Sequence, residues 1–91
     1  MASSEEAFDR FWRWKKASTV LKLTVLTKGG TPERFIGEIF AIDDEALVVG
    51  FLASKTRDFR QICFADASFG LEDRALSAER TTGDVLRFEE R

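Results

Sequence analysis

Apolar and polar residues follow two different periods along this chain, and the change between them marks its first boundary. Ser3 followed three positions later by Glu6 makes a capping box, the sequence mark of a helix start. Phe8, Phe11, Trp12 and Lys15 then fall at i, i+3, i+4 and i+7, which predicts a helix over 3–16 with that stripe facing the rest of the protein. Arg10, Arg13 and Lys16 lie on other faces, and the cations near its end suit the helix dipole. Trp14 falls off the stripe and needs a second surface. From Ala17 the period becomes two. Ser18–Thr27 alternates Leu21, Leu23 and Val25 with Lys22 and Thr24, the pattern of a strand with one wet face.

Lys28-Gly29-Gly30-Thr31-Pro32 reads as a turn, with glycine supplying positive φ and Pro32 ending any ladder. Glu33–Ile42 reads as a second strand, whose interior Gly37 suggests a bend or bulge. After the acidic turn Asp43-Asp44-Glu45, Ala46–Ala53 is apolar nearly throughout, as a strand covered on both faces would be. The polar loop Ser54–Asp58 leads to a fourth strand, Phe59–Ala67. Phe69-Gly70-Leu71 reads either as its continuation or as a short turn. Thr81-Thr82-Gly83-Asp84 is a turn signal, and Val85–Phe88 reads as a short last strand or as the start of a frayed tail. The organisation expected is a single domain over 1–91, with the helix at 3–16, four strands at 18–67, and a last strand or turn and tail at 68–91.

Composition narrows what such a domain can do. With 91 residues and no histidine, the chain lacks the side chain for a His-based triad or a zinc knuckle, and its lone cysteine, Cys63, excludes an internal disulfide. No cofactor and no metal are therefore expected. The longest uncharged runs, such as Ala46–Ser54, fall far short of the roughly 20 apolar residues of a spanning helix. The opening MASSEE has neither a basic nor an apolar signal region, and a single thiol fits a reducing cytoplasm. Nine Phe and two Trp without a Tyr want burial in a core or an interface. Small domains without staples often gain that burial by self-association, so a homo-oligomer is expected. The net charge of −2 offers no whole-chain field for nucleic acid, although residues 1–30 carry a local +3 against −2 and −3 in the following thirds.

One helix followed by four or five strongly bent strands suggests a small barrel. The residues of the second and third strands carry a more specific likeness. Phe35-Ile36-Gly37-Glu38-Ile39, then Ile42-Asp43 and Leu47-Val48-Val49, resembles the first motif of the Sm-like proteins, the Sm/LSm and Hfq group. The resemblance spans residues 5–67 and implies a mostly β fold: an N-terminal α-helix and a four- to five-stranded Sm-like (SH3-like) barrel. Gly37 would let the second strand bend, and Asp43 would hydrogen-bond the backbone of the following turn. It also implies a ring, in which the fourth strand, Phe59–Ala67, pairs with the last strand of a neighbouring copy. The base-reading positions depart from the family pattern: Leu47 stands near the expected asparagine, and Arg60–Ala67 contains neither Arg-Gly nor Lys-His.

Phe11-Trp12-Arg13-Trp14-Lys15-Lys16 interleaves aromatics with cations, as single-strand binders do. The same mixture suits an interfacial helix, or a helix glued to the sheet with solvated cations. An RNA partner would use Arg10, Arg13, Trp14, Lys15 and Lys16, with Lys55, Arg57 and Arg60 as further contributors. An exposed Trp14 would favour a ligand, since an exposed indole lacks a structural reason. Asp43-Asp44-Glu45 and the set Asp66, Glu72 and Asp73 read as acidic turns rather than cation sites, and Cys63, between Ile62 and Phe64, as a buried thiol. Two functions follow. One is a non-enzymatic oligomeric barrel binding RNA through its helix. The other is an SH3-like protein-interaction module with no nucleic-acid role, recognisable by an exposed aromatic groove. No membrane and no small-molecule substrate are inferred.

Overall fold

A computed structural model describes residues 2–91; Met1, the first residue of the 1–91 domain, lies outside them. The helix, α1, spans Ser4–Ala17 and begins at the capping box. Ser3 Oγ accepts the Glu6 amide at 3.1 Å, and Glu6 Oε1 accepts the Ser3 amide at 3.1 Å. Ser18 ends the helix in a left-handed conformation at φ 50°. The buried face is Ala7, Phe8, Phe11 and Trp14, with Trp12 half-buried at its margin. This corrects the stripe read from the sequence. Ala7, Phe11 and Trp14 stand at i, i+4 and i+7, so the same template fits when it starts at Ala7, and the small alanine lets the helix lie close.

The bonds of the capping box hold the Glu6 carboxyl below its ordinary 4.5, the Ser3 amide being the main cause. A depressed folded-state pKa means stability that is complete above the unfolded value and is lost as pH falls through the folded one. Glu72, lowered first by its hydrogen bond from Arg87, acts with the same sign. The thermal midpoint is therefore expected to fall as the pH drops below about 4.5, and to fall less steeply in Glu6→Gln and in Glu72→Gln. Circular-dichroism melts between neutral and acid pH read this directly.

Among the described residues, seven antiparallel strands follow the helix: β1 (Leu21–Leu26), β2 (Glu33–Asp43), β3 (Val48–Ala53), β4 (Phe59–Cys63), β5 (Ser68–Glu72), β6 (Ala75–Glu79) and β7 (Val85–Glu90). They form one sheet in the order β4-β3-β2-β1-β7-β6-β5. The protein is thus mostly β, but the strand count corrects the four or five expected. The segment after Ser68 is neither a continuation of β4 nor a tail. β5 and β6 make a hairpin through the two-residue turn Asp73-Arg74, and β7 lies between β1 and β6 near the middle of the sheet. The fourth strand ends at Cys63 rather than Ala67.

The sheet curves around the helix until its two ends approach. Phe64, just after β4, has its ring centroid 5.7 Å from that of Phe69 in β5. No ladder joins these two edges among the described residues, so the sheet stays open. The core fills the concave side: Phe8, Phe11 and Trp14 from α1 meet Leu21, Leu23, Ile39, Val49, Phe51, Ile62, Phe64, Phe69, Leu76, Leu86 and Phe88. Phe88, fully buried, packs its ring against Phe11, Trp14, Phe51 and Phe64 at centroid distances of 5.2 to 6.4 Å. Mixed edge-to-face and tilted contacts of this kind add to plain area burial.

Gly37 and Asp43 sit at the two ends of the close β2–β3 pairing. A Cβ built on Gly37 would lie 1.9 Å from the Leu52 carbonyl oxygen, so the glycine is needed for close backbone approach. The bulge in β2 lies elsewhere, between Ile39 and Ala41, and leaves Phe40 and Ala41 both outside before Ile42 returns to the core side. Asp43 Oδ1 accepts the amides of Glu45 and Ala46, both at 3.1 Å, closing the turn into β3.

Candidate interaction surface

The helix residues nominated from the sequence are divided by the fold. Trp14 is 2% exposed, and its indole Nε1 donates to Glu90 Oε2 at 3.0 Å. The Arg10 guanidinium lies 5.6 Å from the Trp14 ring centroid and donates to the carbonyls of Glu72 at 2.9 Å and Ala75 at 3.4 Å. Arg10 thus ties α1 to the β5–β6 turn, where it satisfies two backbone acceptors. Trp12 donates to Asp44 Oδ1 at 2.7 Å, with Lys15 Nζ 5.7 Å from its ring centroid. Only Arg13 and Lys16 of the set project as exposed cations.

Lys55 and Arg57 are exposed in the turn between β3 and β4. Arg60 lies on the inner side of β4, where its guanidinium stacks 4.2 Å from the Phe35 ring centroid and pairs with Glu33 at 3.8 Å. The fold therefore distributes the eight nominated residues between the helix and the end of the sheet near β4. It consumes Trp14 and Arg10 in the core and its clamp. A cleft of about 320 Å³ lies between the start of α1 and the β2–β3 turn. Its charged lining is acidic, from Glu5, Asp9 and Asp44, which disfavours a phosphate there. Among the described residues, no group of three His, Cys, Asp or Glu side chains is placed to hold a metal ion. Among the same residues, no helix is long and apolar enough to cross a membrane.

A different surface emerges on the convex side of β2, β3 and β4. Phe40 is 58% exposed and Phe59 46% exposed, and their rings meet edge-on at 5.7 Å. Gly50 lies beneath them, since a Cβ there would come within 2.6 Å of the Phe59 ring. Ile36 is exposed on the same stretch of β2, while Leu52 beside Phe59 is half-buried. Cys63 is exposed, correcting the buried thiol expected from its apolar neighbours. The reason is the period of two: Ile62 and Phe64 both turn inward, so the residue between them must turn out.

The edge of β4 completes this surface. The Phe64 amide donates to Leu47 and the Ala53 amide to the Asp58 carbonyl, which fixes the phase of the β3–β4 ladder. Residues 58, 60, 62 and 64 face β3 with their backbone groups, and Phe59, Gln61 and Cys63 aim theirs away from it. Among the described residues nothing pairs with these groups. At the opposite edge the Phe69 carbonyl accepts the Ala2 amide at 3.1 Å. β7 is paired on both sides, so the last strand presents no edge to the neighbouring copy expected of a ring.

This surface was missed in the sequence, although part of its signal was there. Phe59-Arg60-Gln61-Ile62-Cys63 does not alternate in polarity, but a strand's period of two with Ile62 inward places Phe59, Gln61 and Cys63 together outside. For Phe40 the signal was ambiguous, because alternation from Ile39 places it outside and alternation from Ile42 places it inside, and only the bulge between Ile39 and Ala41 reconciles the two. Comparison with protein families, curated proteins and solved structures finds no match to this chain.

Proposed function

We propose that the chain is a non-enzymatic protein-interaction module that receives an extended peptide along β4, with Phe40 and Phe59 as its apolar anchors. The observation that carries this reading is an exposed aromatic pair beside an unpaired strand edge. An edge supplies backbone hydrogen bonds and neighbouring side chains supply specificity, the mode known as strand addition. The burial of Trp14 supports the same choice, since the indole that could have advertised a stacking ligand has a structural role instead. β1 to β4 form an uninterrupted meander and β7 returns to β1, an order compatible with an SH3-like or Sm-like relationship. The lone thiol fits a reducing compartment such as the cytoplasm.

The Sm-like, RNA-binding reading retains exposed cations at Arg13, Lys16, Lys55 and Arg57. Peptide-display selection against the folded chain, followed by amide chemical-shift mapping, separates the two. Selected peptides are expected to shift Phe59, Gln61 and Cys63 and to lose at least about tenfold in affinity on Phe59→Ala. Failure to enrich peptides over an unrelated acidic protein would overturn the reading. So would salt-sensitive anisotropy with oligo-U or oligo-A that maps to Arg13 and Lys16.

A further inference from the structure

The open edge has a property that narrows its partner. The three residues of β4 whose backbone groups have no partner among the described residues, Phe59, Gln61 and Cys63, are symmetric about Gln61. A second β4 laid antiparallel across a twofold axis at Gln61 sets Gln61 opposite Gln61, and Phe59 opposite Cys63 in both directions. All three pairs are of the type that exchanges two N–H···O bonds, so every free donor and acceptor of the triplet finds its counterpart on an identical strand. Any edge of three outward residues can pair with itself in this geometry; what favours a second copy here is the side-chain and charge register.

Side chains and charges agree with the register. The outward residues Phe59, Gln61 and Cys63 carry no charge, and edges are ordinarily protected from self-pairing by lysine, proline or a bulge. Here the triplet has none of these. On the convex face, Cys63 of each copy would lie beside the exposed Phe59 of the other and extend the Phe40–Phe59 patch across the axis. On the concave face Ile62 would stand opposite Arg60, whose charge is already paired with Glu33. Beyond the strand, the same register carries the cationic turn holding Lys55 and Arg57 toward Asp66 of the other copy. Attraction therefore operates at both ends of the contact, and no like charges stand directly opposite.

We propose that the partner of the β4 edge is a second copy of this chain, joined by an isologous β4–β4 pairing centred on Gln61. This rests on the reading of β4 as the interaction surface and names its occupant. The contact is a twofold one that closes on itself, unlike a head-to-tail ring. It joins two sheets into one continuous sheet while leaving β5 and β7 as they are. Five residues of edge with one aromatic pair belong at the small end of specific interfaces, so the dimer is expected to be reversible, with a dissociation constant on the order of micromolar.

Sedimentation velocity over a concentration series tests the pairing, with two variants that act on opposite sides of it. Gln61→Pro removes an N–H that serves no bond among the described residues, a position where an edge strand accepts proline. It is expected to keep the wild-type circular dichroism and to raise the concentration of half-dimerisation at least about tenfold. Gln61→Cys in a Cys63→Ser background places two thiols directly opposite, with Cα atoms about 5.5 Å apart, inside the range for a disulfide. Oxidised glutathione is expected to cross-link that variant into a dimer and to leave the wild type, with Cys63 facing Phe59, uncross-linked. Three outcomes would sink the proposal: a wild type monomeric at all concentrations, a Gln61→Cys variant that never cross-links, or undiminished association of a folded Gln61→Pro chain. If the chain stays monomeric while selected peptides still shift Phe59, Gln61 and Cys63, self-pairing falls and the peptide-binding reading stands.

Discussion

Replacing Phe88 by alanine is expected to cost about 3–5 kcal/mol, enough to leave the chain largely unfolded or only marginally stable. The ring is fully buried in β7 and is shared by four other aromatic side chains from α1, β3 and the segment after β4. A cavity at that point cannot collapse from one side alone, because the helix is held to the far hairpin by Arg10 and to β7 by the Trp14–Glu90 bond. Domains of this size are stable by roughly 5–14 kcal/mol, so the loss consumes a large share of the total. Urea unfolding followed by tryptophan fluorescence measures it. Phe40→Ala is the matched control: the same ring is removed, but from a position 58% exposed, and the change should stay within about 0.5 kcal/mol. Equal effects at the two positions would mean that the aromatic core is not organised around Phe88.

Gly37→Ala is expected to be nearly as damaging although it adds a single methyl group. Its Cβ would meet the Leu52 carbonyl oxygen at 1.9 Å and the Ala53 Cα at 2.8 Å, and both obstacles are backbone. Side chains can rotate away from an intruding methyl; a ladder can yield only by separating β2 from β3 where Gly37 pairs with Ala53. Overpacking into a rigid neighbour costs about 1–3 kcal/mol, and this contact belongs at the upper end or beyond. Gly70→Ala supplies the comparison, because among the described residues a Cβ there meets nothing within 4 Å and no positive φ is needed. It should be neutral or stabilising by up to about 1 kcal/mol, since alanine narrows the unfolded ensemble. The two glycines look alike in the sequence, and denaturation midpoints should separate them widely.

That contrast shows which parts of the fold the sequence could disclose. The helix and the first four strands were legible because each carries a local signal: the Ser3–Glu6 box, the change of period after Ala17, the glycine turn at 29–30 and the alternation of β1. β7 was half-visible, through the turn at 81–84 and the apolar Val85–Phe88, but β5 and β6 were obscure because they are short and joined by Asp73-Arg74, a turn with no glycine, proline or asparagine to announce it. Their strand character comes from pairing with one another and with β1, which is information between distant residues. Trp14 was misplaced for a related reason. A helix of this length offers overlapping stripes, and only the sheet decides that Ala7, Phe11 and Trp14 form the inner one. For the surface, charge and aromatic content drew attention to α1, whereas the exposed pair comprises Phe40 and Phe59, residues that composition cannot distinguish from the seven other phenylalanines.

The position of β7 between β1 and β6 also orders events in time. A ribosome delivers β1 through β4 first, and these can zip as successive hairpins. One side of β1 nevertheless stays bare until Leu21 can meet Glu90, near the far end of the residues described. Until then Phe11 and Trp14 lack the ring of Phe88 and the carboxylate of Glu90, so the apolar face of α1 is only partly covered, by β1 to β4 and Phe64, in the nascent chain. Completion of the core is therefore expected to come late, when β7 inserts between β1 and β6. Such nonlocal closure belongs with the slower, millisecond-to-second class of small-domain folding. Throughout that interval it is holdase-type chaperones that have reason to meet this protein.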